Sequence, residues 1–141
     1  MFFLYSIINR IVIILIIVGG GAYYNYFFRG PKITNSVLTK SIDENAKATE
    51  PTTTFTSKDT VYFSAKGKKL AIKKATVVLY KGEALTENRV KVEEGIEINS
   101  EGYFSAKISI PEELEEGHYS VTTYSGSSDI IQSISEFDVK N

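Results

Sequence analysis

Between positions 103 and 110 the chain reads Tyr-Phe-Ser-Ala-Lys-Ile-Ser-Ile, and alternation this strict fits one backbone geometry, the β-strand. Successive side chains of a strand point to opposite faces. Phe104, Ala106, Ile108 and Ile110 therefore share one face, and Tyr103, Ser105, Lys107 and Ser109 the other. The period of two recurs from Phe55 onward. Val61, Phe63 and Ala65 alternate with Tyr62 and Ser64, and 75–80 is a continuous β-prone run. Arg89-Val90-Lys91-Val92 alternates before a turn at Glu93-Glu94-Gly95, and Ile96 and Ile98 alternate with Glu97 and Asn99. Tyr119, Val121 and Thr123 alternate with His118, Ser120 and Thr122, and 131–139 closes the chain with Phe137 and Val139 inward. Turn residues return about every ten positions, among them Gly67, Gly82, Asn88, Gly95, Gly102, Gly117 and Gly126. Seven or eight short strands with no helical pattern between them predict an all-β fold, an antiparallel β-sandwich over 52–141.

The N-terminus is of another kind. Residues 11–18 read Ile-Val-Ile-Ile-Leu-Ile-Ile-Val behind Arg10. This aliphatic core alone has the length of a signal-peptide core. Continued through Gly19-Gly20-Gly21-Ala22 and the cluster Tyr23, Tyr24, Tyr26, Phe27 and Phe28, the run reaches eighteen residues before Arg29. A helix of that length extends about 27 Å, near the hydrocarbon thickness of a bilayer. The clustered tyrosines suit a headgroup boundary, and Phe2, Phe3, Leu4 and Tyr5 supply a matching belt. Residues 1–29 are therefore expected to be a signal-anchor, one N-terminal transmembrane helix. Gly20 and Ala22 sit at the −3 and −1 positions of a cleavage site, so export as a soluble protein cut near Ala22 is the alternative.

The count of flanking cations leans slightly toward a cytoplasmic C-terminus. Arg10 and the terminal amine lie on one side, and Arg29, Lys32 and Lys40 on the other. Against that count, a short anchor followed by an all-β domain is an export layout, and the expected product is a single-pass membrane protein with its C-terminal domain extracytoplasmic. Pro31 stops the helix. Residues 30–51 are rich in Thr, Ser, Asn and charged groups, with few apolar positions beyond Ile33, Val37, Leu38 and Ile42, and read as a polar linker.

Charge and composition exclude several functions. Beyond residue 30 stand 14 basic and 17 acidic residues, the opposite of the basic excess that nucleic acid requires. The charges are segregated along the chain, with seven lysines and one acid in 58–81 and ten acids against three bases in 83–116. That asymmetry leaves self-association by head-to-tail stacking open. His118 is the one histidine and cysteine is absent, so a transition-metal site would have to be built mainly from carboxylates. There is no Gly-x-Ser-x-Gly elbow for a nucleophile and no phosphate-cradling glycine loop. Glu112, Glu113, Glu115 and Glu116 form the densest acidic cluster but lack the Asp-rich spacing of calcium loops. No catalytic residue, cofactor or metal is expected.

The stretch Gly102 to Pro111, then Leu114-Glu115-Glu116-Gly117-His118-Tyr119-Ser120-Val121 and the ending Phe137-Asp138-Val139, resembles the back half of prokaryotic immunoglobulin-like and fibronectin type III-like surface domains. Asp59-Thr60-Val61-Tyr62 and 75–80 resemble their second and third strands. The resemblance implies an immunoglobulin-like sandwich with an extracytoplasmic habit and says almost nothing of activity. It also implies a corner role for Tyr119, whose hydroxyl would bond upstream backbone. It departs from antibody-type domains in lacking a cysteine pair and a tryptophan. The expected function is that of a membrane-tethered, non-catalytic extracytoplasmic binding or structural module of the cell envelope. Its partners would be the membrane, through the helix, and a protein or envelope component. The alternative is an accessory subunit that docks in a membrane complex through its helix.

Overall fold

Among the described residues the chain forms eight strands. They are β1 (Ile33–Thr39), β2 (Thr54–Phe55), β3 (Val61–Gly67), β4 (Lys74–Lys81), β5 (Arg89–Glu97), β6 (Tyr103–Ser109), β7 (Gly117–Ser125) and β8 (Ile131–Val139). The computed structural model describes residues 32–68, 72–126 and 128–141. The expected membrane helix at 1–29, with its cleavage alternative near Ala22, lies outside them. Among the described residues no helix is long and apolar enough to cross a membrane.

The strands form two sheets, one of three in the order β1-β3-β6 and one of five in the order β2-β8-β7-β4-β5. The alternating apolar positions meet between the sheets and make the core. Phe63 and Phe104 pair across β3 and β6 with ring centroids 6.1 Å apart. Phe137 stacks on Tyr119 at 5.3 Å and meets Phe55 edge-on at 5.5 Å. Edge-on and offset contacts are the favoured aromatic geometries. A short hydroxyl chain also bridges the two sheets. Ser36 on β1 donates to Ser133 on β8 at 2.9 Å, and Ser133 lies 2.6 Å from the buried Thr123 hydroxyl on β7.

Four expectations need correction. Residues 30–51 are not a linker. β1 pairs with β3 from Ile33↔Gly67 to Thr39↔Tyr62, and Ile33 and Leu38 are core residues. A bulge between Thr34 and Val37, with Asn35 at a φ of 54°, interrupts the alternation, which is why the strand escaped the period-two test. The stretch after it is ordered by its own polar groups. The Asp43 carboxylate accepts from the backbone of Asn45 and Lys47, and the Ala46 carbonyl accepts from Ser64 at 2.6 Å. The folded unit accordingly runs over Pro31–Asn141 rather than 52–141.

Second, the larger sheet is mixed, because β2 runs parallel to β8 at its edge. Third, the turn expected at Glu93-Glu94-Gly95 is absent. β5 runs through it, with Gly95 at a φ of 69° and a register shift opposite Ala75 and Val77 absorbing the irregularity. Fourth, Ile110 is exposed and Ser109 is buried. A bulge at Val61/Tyr62 adds one residue to β6, which inverts the facing of its last positions.

Candidate interaction surface

The residues with the best claim to chemistry fall at one end of the sandwich. Gly117 opens β7, and the next residue, His118, faces out of the five-stranded sheet opposite Asp138 of β8. Its Nδ1 lies 2.7 Å from Asp138 Oδ1, and its Nε2 lies 3.8 Å from Glu136 Oε1. A histidine base that activates a nucleophile needs a hydroxyl or thiol at the ring nitrogen away from its carboxylate. Here that nitrogen faces a second carboxylate. The neighbouring Ser120 hydroxyl donates instead to the Gly82 carbonyl at 2.7 Å. The arrangement favours a protonated imidazole, and the hydrogen bond to Asp138 above all raises the His118 pKa over its ordinary value of 6.5. The charge–charge stabilisation is therefore complete below pH 6.5 and is lost as pH climbs through the raised value. NMR titration of this single histidine should give a midpoint above the ordinary value, and Asp138→Asn should bring it down. Equal midpoints in the two proteins would remove the pairing.

The glutamate cluster is divided among cations and backbone. Glu113 accepts from the Ile110 amide at 2.9 Å and pairs with Lys91. Glu115 pairs with Lys81 at 2.8 Å, each holding the other charged: the lysine pKa is raised and the carboxyl pKa lowered. Among the described residues no group of three His, Asp or Glu side chains is arranged to hold a metal ion. Tyr119 takes the corner role. Its ring is buried and its hydroxyl donates to the Glu115 carbonyl at 2.7 Å, four residues upstream.

The alternation missed a larger feature, the outer face of the five-stranded sheet. Register places Val92 beside Val78, Val78 beside Thr122, and Thr122 beside Ile134, one row across β5, β4, β7 and β8. Val78 and Thr122 are buried, whereas Val92 is 44% exposed and Ile134 is 58% exposed. On β5 the inward places are held by Lys91, opposite the core residue Leu79, and Glu93, opposite the core residue Val77. Lys91 reaches across the open edge of the sandwich to the Ile108 carbonyl at 3.2 Å. Its four-carbon stem covers apolar surface there while the ammonium stays in water. The valine is thereby left facing outward.

The next row is polar. Arg89, Tyr80, Ser120 and Glu136 lie side by side. Burial opposes ionisation of Tyr80, but the Tyr124 and Thr122 hydroxyls and the Arg89 guanidinium outweigh it and lower its pKa below that of an ordinary phenol. The Tyr124 pKa moves the other way, raised by Tyr80 and by burial. Thr122 lies close enough to bias both phenols, yet its buried Oγ1 meets no partner at hydrogen-bonding distance. A shallow hollow of about 350 Å³ runs over this face between Arg89 and Val92 on one side and Tyr124 and Asp129 on the other. The surface thus sets the exposed Val92 and Ile134 beside a polar row.

No protein-family model matches the chain, and no curated protein matches it. Among solved structures it is similar to an immunoglobulin-like protein from Pseudomonas aeruginosa. That similarity has 14% sequence identity, covers 76% of this chain and 93% of the other, and has a TM-score of 0.46.

Proposed function

We propose that the protein is a membrane-tethered, non-catalytic binding module of the cell envelope, an immunoglobulin-like sandwich that holds a protein partner on the outer face of its five-stranded sheet. The observation that carries this reading is the outer-face row Val92, Val78, Thr122 and Ile134, whose two ends, Val92 and Ile134, are exposed apolar side chains on a face that should be wet in an isolated sandwich. The immunoglobulin-like assignment draws on the strand order. The chain's first strand lies in the smaller sheet and its continuation, β2, runs parallel to the last strand in the larger one, with a tyrosine corner at the start of β7. The tether draws on the apolar run at 11–28 and the extracytoplasmic setting on the export layout of the sequence. The absence of a positioned nucleophile beside His118 favours a non-catalytic role.

Two measurements test the proposal in cells. The full-length protein should stay with membranes through an alkaline carbonate wash, and protease added to spheroplasts should digest the domain. A soluble form starting near Tyr23 would sink the tether, and a protected domain would reverse the orientation. A photo-crosslinking residue at Val92 or Ile134 should yield one discrete protein adduct, while the same residue at Lys107 on the other sheet should not. If all three positions behave alike, the outer face is not the binding surface.

A further inference from the structure

The lost linker changes what lies next to the membrane. The first strand starts at Ile33, and Lys32 is three residues beyond Arg29, where the apolar run ends. Three extended residues span at most about 11 Å, close to the screening length of physiological salt. On the membrane-tethered reading above, on which this inference rests, so short a stretch of chain lets the end of the sandwich that carries Lys32 reach a headgroup layer.

That end is basic. The Lys32 carbonyl accepts from the Lys68 amide, so the residue that follows β3 lies beside Lys32. Lys66 pairs with Thr34 in register, and Lys73 and Lys74 lead into β4 at the same end. The acidic groups there include Glu97, Glu101 and Asp129, with Asp43 and Glu44 on the turn whose Asn45 carbonyl accepts from Asn99; Glu101 is already engaged by Lys47 at 3.0 Å. The opposite end carries the connections 82–88 and 110–116, which hold six glutamates, of which Glu113 is paired with Lys91 and Glu115 with Lys81. An anionic surface would attract the first end and repel the second.

The same end also carries exposed apolar side chains. In the β7–β8 connection Ile130 is 70% exposed, the highest value among the exposed large hydrophobic residues, and the adjacent Ile131 is 44% exposed. An open depression of about 650 Å³ at the same end is bordered by Lys32, Lys73 and Lys74 together with Ser125 and Ser128. Ammonium groups and an exposed aliphatic tip at one end of the domain have the chemistry of a peripheral bilayer contact. The cations pair with phosphates and the apolar tip enters the acyl boundary.

We infer that this end of the domain docks on anionic lipid headgroups, with Ile130 and Ile131 entering the interface and Lys32, Lys73 and Lys74 holding the phosphates. The protein would stand upright on the bilayer, and the outer face of the five-stranded sheet would stay open to its partner.

The chain contains no cysteine, so one introduced thiol gives one labelled site. Full-length Ile130→Cys, carrying an environment-sensitive dye, is reconstituted into vesicles of phosphatidylcholine alone or of equimolar phosphatidylglycerol and phosphatidylcholine. The expected result is a blue-shifted, severalfold brighter emission in the anionic vesicles only. It should be lost on adding Lys73→Glu and Lys74→Glu, and at molar salt. The same dye at Leu85→Cys, in the β4–β5 connection at the opposite end, should keep a water-like emission throughout. Water-like emission from position 130 in anionic vesicles would overturn the docking, as would an equal response from position 85 or one indifferent to the two lysines. Retention of the protein by the vesicles through carbonate is scored separately. If retention fails, the tether is wrong, and the dye response on simply adding anionic vesicles still decides the docking.

Discussion

Phe104→Ala is expected to lower stability by about 3–5 kcal/mol, and its neighbour Tyr103→Ala by less than half of that. The two residues are adjacent on β6 and similar in size, so the comparison isolates the direction in which each side chain points. Phe104 is 1% exposed and packs on Phe63 across from Ala65. Truncation would leave a ring-sized void in the core, and a two-sheet core has little means to collapse into it. Tyr103 faces away from the core, and its ring lies 5.0 Å from the Lys47 ammonium and 5.7 Å from that of Lys66. Exposed cation–ring contacts of that kind contribute about 0.5–1 kcal/mol. Urea unfolding of the full-length protein and both variants, with slopes compared as well as midpoints, gives the two costs. Equal costs would mean that β6 is displaced by one residue, since such a slip exchanges the faces.

β6 was legible in the sequence because it has one dry face, one wet face and only one irregularity, at its last turn. β7 was legible in part. Tyr119, Val121 and Thr123 do face inward, but Ser120 and Thr122 are buried as well, because β7 is flanked by strands on both sides. In β5 the alternation at 89–92 was legible but its facing was not. Alternation marks two faces without saying which is dry, and Lys91 at an edge strand can cover the core with its methylenes as a valine would. The outer-face stripe was hidden for the same reason, since it depends on register between strands far apart in sequence. The pairing of His118 with Asp138 was hidden likewise: the two are twenty positions apart and meet only when β7 and β8 align. The corner bond of Tyr119 needed only local geometry, four residues back along the chain, and was readable.

The largest effect expected from any change is that of removing residues 1–51. Read from sequence, 52–141 looked like a self-sufficient domain; the structure predicts that this fragment will be unfolded or close to it. Cutting at 52 deletes β1, leaves β3 with a single neighbour, and reduces the smaller sheet to two strands. It removes Leu38, which pairs with Phe63, and Ile33, which pairs with Gly67, both from the core. Each buried aliphatic side chain lost costs about 2–5 kcal/mol, and a domain of this size has only about 5–15 kcal/mol in total. The cut also frees groups that β1 had satisfied. Ser133 loses its bond from Ser36, and the edge of β3 loses its antiparallel ladder, leaving unpaired backbone that invites aggregation. The subtler variant Leu38→Ala, in the otherwise intact chain, should by itself cost about 2–4 kcal/mol, whereas a substitution in a solvated spacer should cost within about 0.5 kcal/mol. Circular dichroism and urea midpoints of the 32–141 and 52–141 fragments, alongside the Leu38 variant, separate the two possibilities. Matching midpoints for the fragments, with a silent Leu38→Ala, would restore the spacer. It would also separate the basic end of the domain from the membrane by up to several tens of Å, and so would weaken the lipid-docking geometry in the same experiment.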